Sequence, residues 1–143
     1  VLAGQLALIV AALFTGAAIY INFAEQPARL GLDDRSLLQQ WKPAYARGFK
    51  MQASLALAGG LLGLIAAYEA RDWRWALGAI VLLCNWPFTL LAIMPTNRRL
   101  EAIKLQDASS ESRALIVKWG ALHAVRRVLG GLATLAFLWA SMS

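Results

Sequence analysis

Residues 75–97 read WALGAIVLLCNWPFTLLAIMPTN, without a charged side chain between Arg74 and Arg98. A helix rises about 1.5 Å per residue, and about 20 apolar residues cross a hydrocarbon core of about 30 Å. This stretch is long enough to span a membrane. Working outward, residues 51–68 are uncharged between Lys50 and Glu69, and residues 1–24 carry no charge at all. The tail from Val128 to Ser143 is also charge-free but short, so its span has to begin upstream, near Trp119. His123, Arg126 and Arg127 are thereby drawn into the fourth span. The expectation is an all-α integral membrane four-helix bundle, a single domain over 1–143. Its antiparallel up-down spans fall at about 2–24, 48–69, 74–95 and 119–141, with a short cytoplasmic amphipathic helix at Arg98-Arg99-Leu100 between spans three and four.

Composition agrees. Of 143 residues, 59% are hydrophobic and 15% charged, and mean hydropathy is +0.55. Neither a disordered chain nor an ordinary soluble domain has that balance. The single Cys excludes an internal disulfide and a cysteine zinc cage, and the single His excludes a bis-His haem within one chain. No metal site and no cofactor are expected. The net charge of +6 does not point to nucleic acid, because the basic residues flank apolar spans, as topology selection and anionic lipid require.

Those basic residues also orient the chain. Segment 25–50 holds Arg29, Arg35, Lys42, Arg47 and Lys50, and segment 95–118 holds Arg98, Arg99, Lys104, Arg113 and Lys118. The turn 69–74 holds only Arg71 and Arg74. The long connections are expected in the cytoplasm and both termini outside, in a bacterial inner membrane. Tyr68, Trp73, Trp75 and Trp139 read as an outer aromatic belt, and Tyr20, Trp41, Tyr45 and Trp119 as an inner one. No signal peptide is expected, since no basic segment precedes the first apolar run.

Proline marks the local breaks. Helix one is expected to end near Glu25-Gln26-Pro27, and Pro43 to kink the helix leading into span two. Asp33 or Asp34 can cap that helix. Gly59, Gly60 and Gly63 form a small-residue surface for close helix packing; oligomerisation is possible on such a surface but not required. Pro87 frees the carbonyl of Leu83. Asn85 and Thr89, four apart, can satisfy freed backbone groups or face a cavity.

In the fourth span, Trp119, His123 and Arg126 are spaced by four and three, so they lie on one stripe. Ionisable residues inside a membrane are functional candidates. A desolvated imidazole beside guanidinium groups stays neutral and able to accept a proton. The alternatives are a packing hydrogen bond for His123 and snorkelling for Arg126 and Arg127. Helices one and three bring Asn22, Glu25 and Asn97 to similar depth. A pocket of Asn22, Glu25, Asn97, His123 and Arg126 is expected, walled by Trp86 and Trp119 and bordered by Thr89, with Glu25 as counter-charge to arginine.

Three stretches, Trp86-Pro87-Phe88-Thr89, Met94-Pro95-Thr96-Asn97-Arg98-Arg99-Leu100 and Lys118 through Arg126 (KWGALHAVR), together with Trp41-x-x-x-Tyr45-x-Arg47-Gly48, resemble the anthrone oxygenase-like family of small four-span membrane proteins. The resemblance implies oxidation of an anthrone to an anthraquinone, as associated with some fungal members. That chemistry needs a base, an oxyanion stabiliser and an aromatic slot. His123 fits the base, Arg126 and Asn97 the stabilisers, and Trp86 and Trp119 the walls around a flat substrate. The implied partners are membrane lipid, a hydrophobic aromatic substrate and molecular oxygen. Two other readings stand beside this one: a non-enzymatic binder of a lipid, quinone or partner membrane protein, and a small transporter dependent on Glu25.

Overall fold

The structure is a computed structural model and describes residues 1–142. Its described residues form four helices long and apolar enough to cross a membrane: α1 (Leu2–Leu30), α2 (Asp34–Ala70), α3 (Trp73–Ala102) and α4 (Ser110–Ser141). Helix α1 packs on α2 and α4, α2 on α3, and α3 on α4. The helices therefore go round the bundle in chain order, and their short connections make neighbours antiparallel.

Polar side chains start the helices where the backbone needs them. Asp33 accepts from the Ser36 amide at 2.9 Å, and both Ser36 donors hold its carboxyl below the usual carboxylate range. Asp72 caps α3 through the Arg74 amide at 3.0 Å. Ser109 and Ser112 satisfy one another's amides at the start of α4. Arg71 ends α2 in the left-handed region at φ 54°, where glycine is usual, with its guanidinium 5.9 Å from the Tyr68 ring centroid.

The prolines behave differently from expectation. Helix α1 does not stop at Pro27. Residues Ile21–Glu25 form a π-helical turn and the α-helix resumes over Gln26–Leu30. A widened turn makes room for the ring and absorbs the amide hydrogen that proline lacks. The same device, Thr89–Ile93, precedes Pro95 in α3. Helix α2 runs unbroken through Pro43. Around Pro87 the helix breaks at Cys84, and Asn85 Nδ2 donates to the Leu82 carbonyl at 2.9 Å, one residue before the carbonyl expected to need it. The basic segment at Arg98-Arg99-Leu100 lies in helix Met94–Ala102, joined to span three without a break.

Small residues let the helices approach. Phe137 fills the space over Gly63 and Gly78, where an added Cβ would lie 2.7 and 2.5 Å from its ring. The Gly59-Gly60-Gly63 surface is thus used inside the bundle. Buried apolar residues form two clusters. One contains Ala7, Phe14, Ala56, Trp75, Leu82 and Phe137. The other contains Ile21, Leu38, Trp41, Ile93, Ile116 and Trp119. Buried polar positions on α2, α3 and α4 fall at or near the level between them, and those positions form the site. The expected inner belt is not formed by Trp41 and Trp119, which are buried, and Trp75 leaves the outer belt for the core. Trp73 and Trp139 do meet near the surface, edge to face, with centroids 5.6 Å apart.

Candidate active site

The layer between the two apolar clusters contains Gln52 from α2, Asn85, Thr89 and Asn97 from α3, and His123 and Arg126 from α4, all buried. His123 therefore faces the bundle interior. Its ring stacks on Trp119 at 5.2 Å, 21° from parallel. Trp119 is held in turn by the edge of Trp41 at 6.0 Å and by the Arg29 guanidinium 5.4 Å from its centroid. Trp41 stacks flat on Tyr45 at 4.7 Å. The imidazole is positioned by a wall of aromatic rings, and its nitrogens make no hydrogen bond of good geometry, only a loose contact with the Ala18 backbone.

A narrow chamber of about 20 Å³, room for little more than one water, lies beside it, lined by Glu25, Tyr45, Gln52, Asn97, Trp119, His123 and Arg126 among others. Five of the residues expected in one pocket, Glu25, Asn97, Trp119, His123 and Arg126, meet here. The Arg126 Nε is buried without a hydrogen-bond partner, and the Asn97 amide, also buried, has only a loose contact with the Tyr45 hydroxyl. Unpaired buried polar groups of this kind call for an explanation, since each has given up water.

Three expectations are placed elsewhere. Glu25 does not pair with Arg126: its carboxylate accepts from Arg29, four residues along the same helix. Arg126 instead lies 5.7 Å from the Phe14 centroid, with no acidic partner among the described residues. Asn22 does not line the chamber; its Nδ2 donates to the Gly120 carbonyl at 3.1 Å and ties α1 to α4. Trp86 and Thr89 line a second chamber of about 10 Å³, room for one very small molecule, with Asn85, Phe49 and Arg126. Arg127 leaves the site and rests over Phe23 at 5.3 Å.

Sequence reasoning missed Gln52, Tyr45 and Arg29. Gln52 Nε2 donates to the Phe14 carbonyl at 3.2 Å, leaving Oε1 unpartnered in the chamber wall. The signal was there: Gln52 is a polar residue inside an uncharged span and continues the helical stripe Trp41, Tyr45, Gly48. An apolar groove of about 360 Å³ between α1 and α2 shares Ile21, Glu25, Ala44 and Gly48 with the site chamber. A Cβ added at Gly48 would come no closer than 4.0 Å to Ile21, so this glycine leaves open space and not a helix contact.

No solved structure matches the chain. An anthrone oxygenase of Paecilomyces divaricatus is 29% identical over 86% of this chain and 85% of its own length. One of Claviceps purpurea is 29% identical, over 65% of this chain and 60% of its own. One of Aspergillus fumigatus is 35% identical, over 63% of this chain and 61% of its own. The chain spans less than two thirds of the last two. The family model described as anthrone oxygenase matches residues 41–136. With that match covering well over half its length, the chain belongs to the anthrone oxygenase family.

Proposed function

We propose that the chain oxidises a flat, acidic-carbon phenolic compound of the anthrone type, within a lipid bilayer and without a cofactor. The carrying observation is His123: an imidazole buried against Trp119, with only a loose contact to the Ala18 backbone, on a chamber lined also by Arg126 and Asn97. To reach Trp119 and Tyr45 the substrate has to part α1 and α2, because the closed chamber has room for little more than one water. His123 takes one proton from the methylene carbon. The negative charge moves onto the carbonyl oxygen, where Arg126 and the Asn97 amide stabilise it.

The carbanion passes one electron to dioxygen, giving a carbon radical and superoxide, which couple through a new C–O bond. The peroxide takes a proton. A base removes the second C–H proton as the O–O bond breaks, hydroxide leaves and is protonated to water, and the carbon becomes a carbonyl. The sum is one methylene plus one dioxygen giving one ketone and one water. Glu25 fixes Arg29 over Trp119, and Asn22 fixes α1 against α4, so both act as positioning residues.

The outward faces support the bilayer. Leu13, Leu61, Ile80, Leu91, Leu132 and Leu135 all point away from the bundle, an apolar exterior that only lipid suits. The basic connections place the α1–α2 and α3–α4 turns in the cytoplasm. A lipid-dissolved substrate reaches the site sideways, through the groove beside Gly48.

Oxygen uptake by the purified protein with anthrone, corrected for spontaneous oxidation, tests the reading. One anthraquinone should form per dioxygen consumed, and His123→Ala should slow turnover about 100-fold or more. A His123→Ala rate equal to the parent's removes the proposed base. Saturable anthrone binding with no oxygen uptake puts the binder reading in its place.

A further inference from the structure

The second chamber shares only Phe49 and Arg126 with the first. We propose that it is the dioxygen site: it admits the neutral gas and holds the superoxide formed from it. This rests on the oxygenase reading above. Phe49, Ala53, Ala56 and Leu90 make one side of the chamber apolar, which suits a small gas more soluble in oil than in water. The other side has Trp86 Nε1, Thr89 Oγ1 and Arg126 Nε, each buried without a partner. Asn85 Oδ1 is the one unpartnered acceptor among them.

Thr89 and Asn85 are 4% and 1% exposed, so water does not satisfy them from outside. Three buried donors against one acceptor, on residues that line one chamber, suit a ligand rich in acceptor lone pairs. Neutral dioxygen makes little use of such donors, whereas superoxide does, and hydrogen bonds to a charged acceptor are the strong ones. The donors thus favour the electron transfer more than the binding, as catalysis requires. Arg126 forms a wall of both chambers, so the oxyanion and the superoxide share one cation. The π-helical turn Thr89–Ile93 begins at the residue that supplies the hydroxyl.

Thr89→Val removes a donor at nearly constant shape and Trp86→Phe removes one with a smaller ring, and removal of an unpartnered hydroxyl should not unfold the protein. Three measurements separate the possibilities. With anthrone saturating, kcat/KM for oxygen should fall about tenfold or more in each variant, the loss expected for a hydrogen bond to a charged group. Under nitrogen, anthrone binding and exchange of its methylene hydrogens with deuterated water should match the parent, because both precede oxygen. In crystals under krypton pressure, the gas should occupy this chamber and leave it in an Ala53→Leu variant.

Weakened anaerobic anthrone binding with unchanged oxygen kinetics would mean that the chamber holds part of the organic substrate, and would overturn the proposal. Absence of krypton from the chamber would overturn it too. Krypton in the chamber of a protein that neither exchanges nor oxidises anthrone would uphold a gas site and remove the oxygenase reading instead.

Discussion

Arg126 is 6% exposed, rests against the Phe14 ring and has no carboxylate partner among the described residues. A buried cation without an anion is destabilising, and inside a membrane it is rarer still. Its place is understandable if an anion forms beside it during turnover. Arg126→Gln should therefore lower kcat about 100- to 1,000-fold, the usual effect of losing an oxyanion donor. The same change should leave anaerobic anthrone binding near the parent value and leave the melting temperature unchanged or higher. A lower melting temperature with kcat intact would make Arg126 a structural residue. The stripe that carries this argument was legible in the sequence, because spacings of four and three on a helix can only share a face. Glu25 was misjudged for the same kind of reason. Arg29, four residues on, is a nearer partner than any arginine across the bundle, and local pairing won.

The site is built on irregular stretches of otherwise regular helices. The two π-helical turns, Ile21–Glu25 and Thr89–Ile93, each end shortly before a proline, and each contributes residues to a chamber wall. Proline was read in the sequence as a stop or a kink. It proved compatible with continuation, since a wider turn upstream makes up for the missing amide hydrogen. At Gly48 the missing side chain leaves the groove between α1 and α2 open to the chamber. Gly48→Leu should obstruct it, at about 1–3 kcal/mol for an overfilled contact, and so raise KM for anthrone about tenfold or more while KM for oxygen stays put. Gly48→Ala should be nearly silent. Equal effects on both substrates would show that the tricycle does not pass this way.

At the scale of the molecule, the outside is apolar and the polar groups are gathered in one internal layer. Only 28–33% of the most apolar stretch of each helix is buried in the bundle, so most of the apolar surface faces outward, as in a membrane span. The basic turns carry the proposed orientation. Single cysteines in a Cys84→Ser background test it in intact cells with a membrane-impermeant maleimide. Ala70→Cys, at the end of α2 beside the α2–α3 turn, should label from outside, and Gln106→Cys, in the α3–α4 connection, should not. The reverse pattern would invert the proposed topology.

The sequence by itself determined the number of helices, their order and the polar stripe on the last of them. Those follow from the lengths of uncharged runs and from the 3.6-residue period, both local properties. The tertiary structure decided which polar groups meet. It placed Asn97 and Gln52 with His123, took Glu25 away from Arg126, moved Trp86 and Thr89 into a separate chamber, and buried rings that local pattern assigned to an interface. Such pairings depend on the rotation of each helix about its axis and on its depth beside its neighbours. Packing of Phe137 over two glycines and widened turns before proline set those quantities, and no period in one helix encodes them.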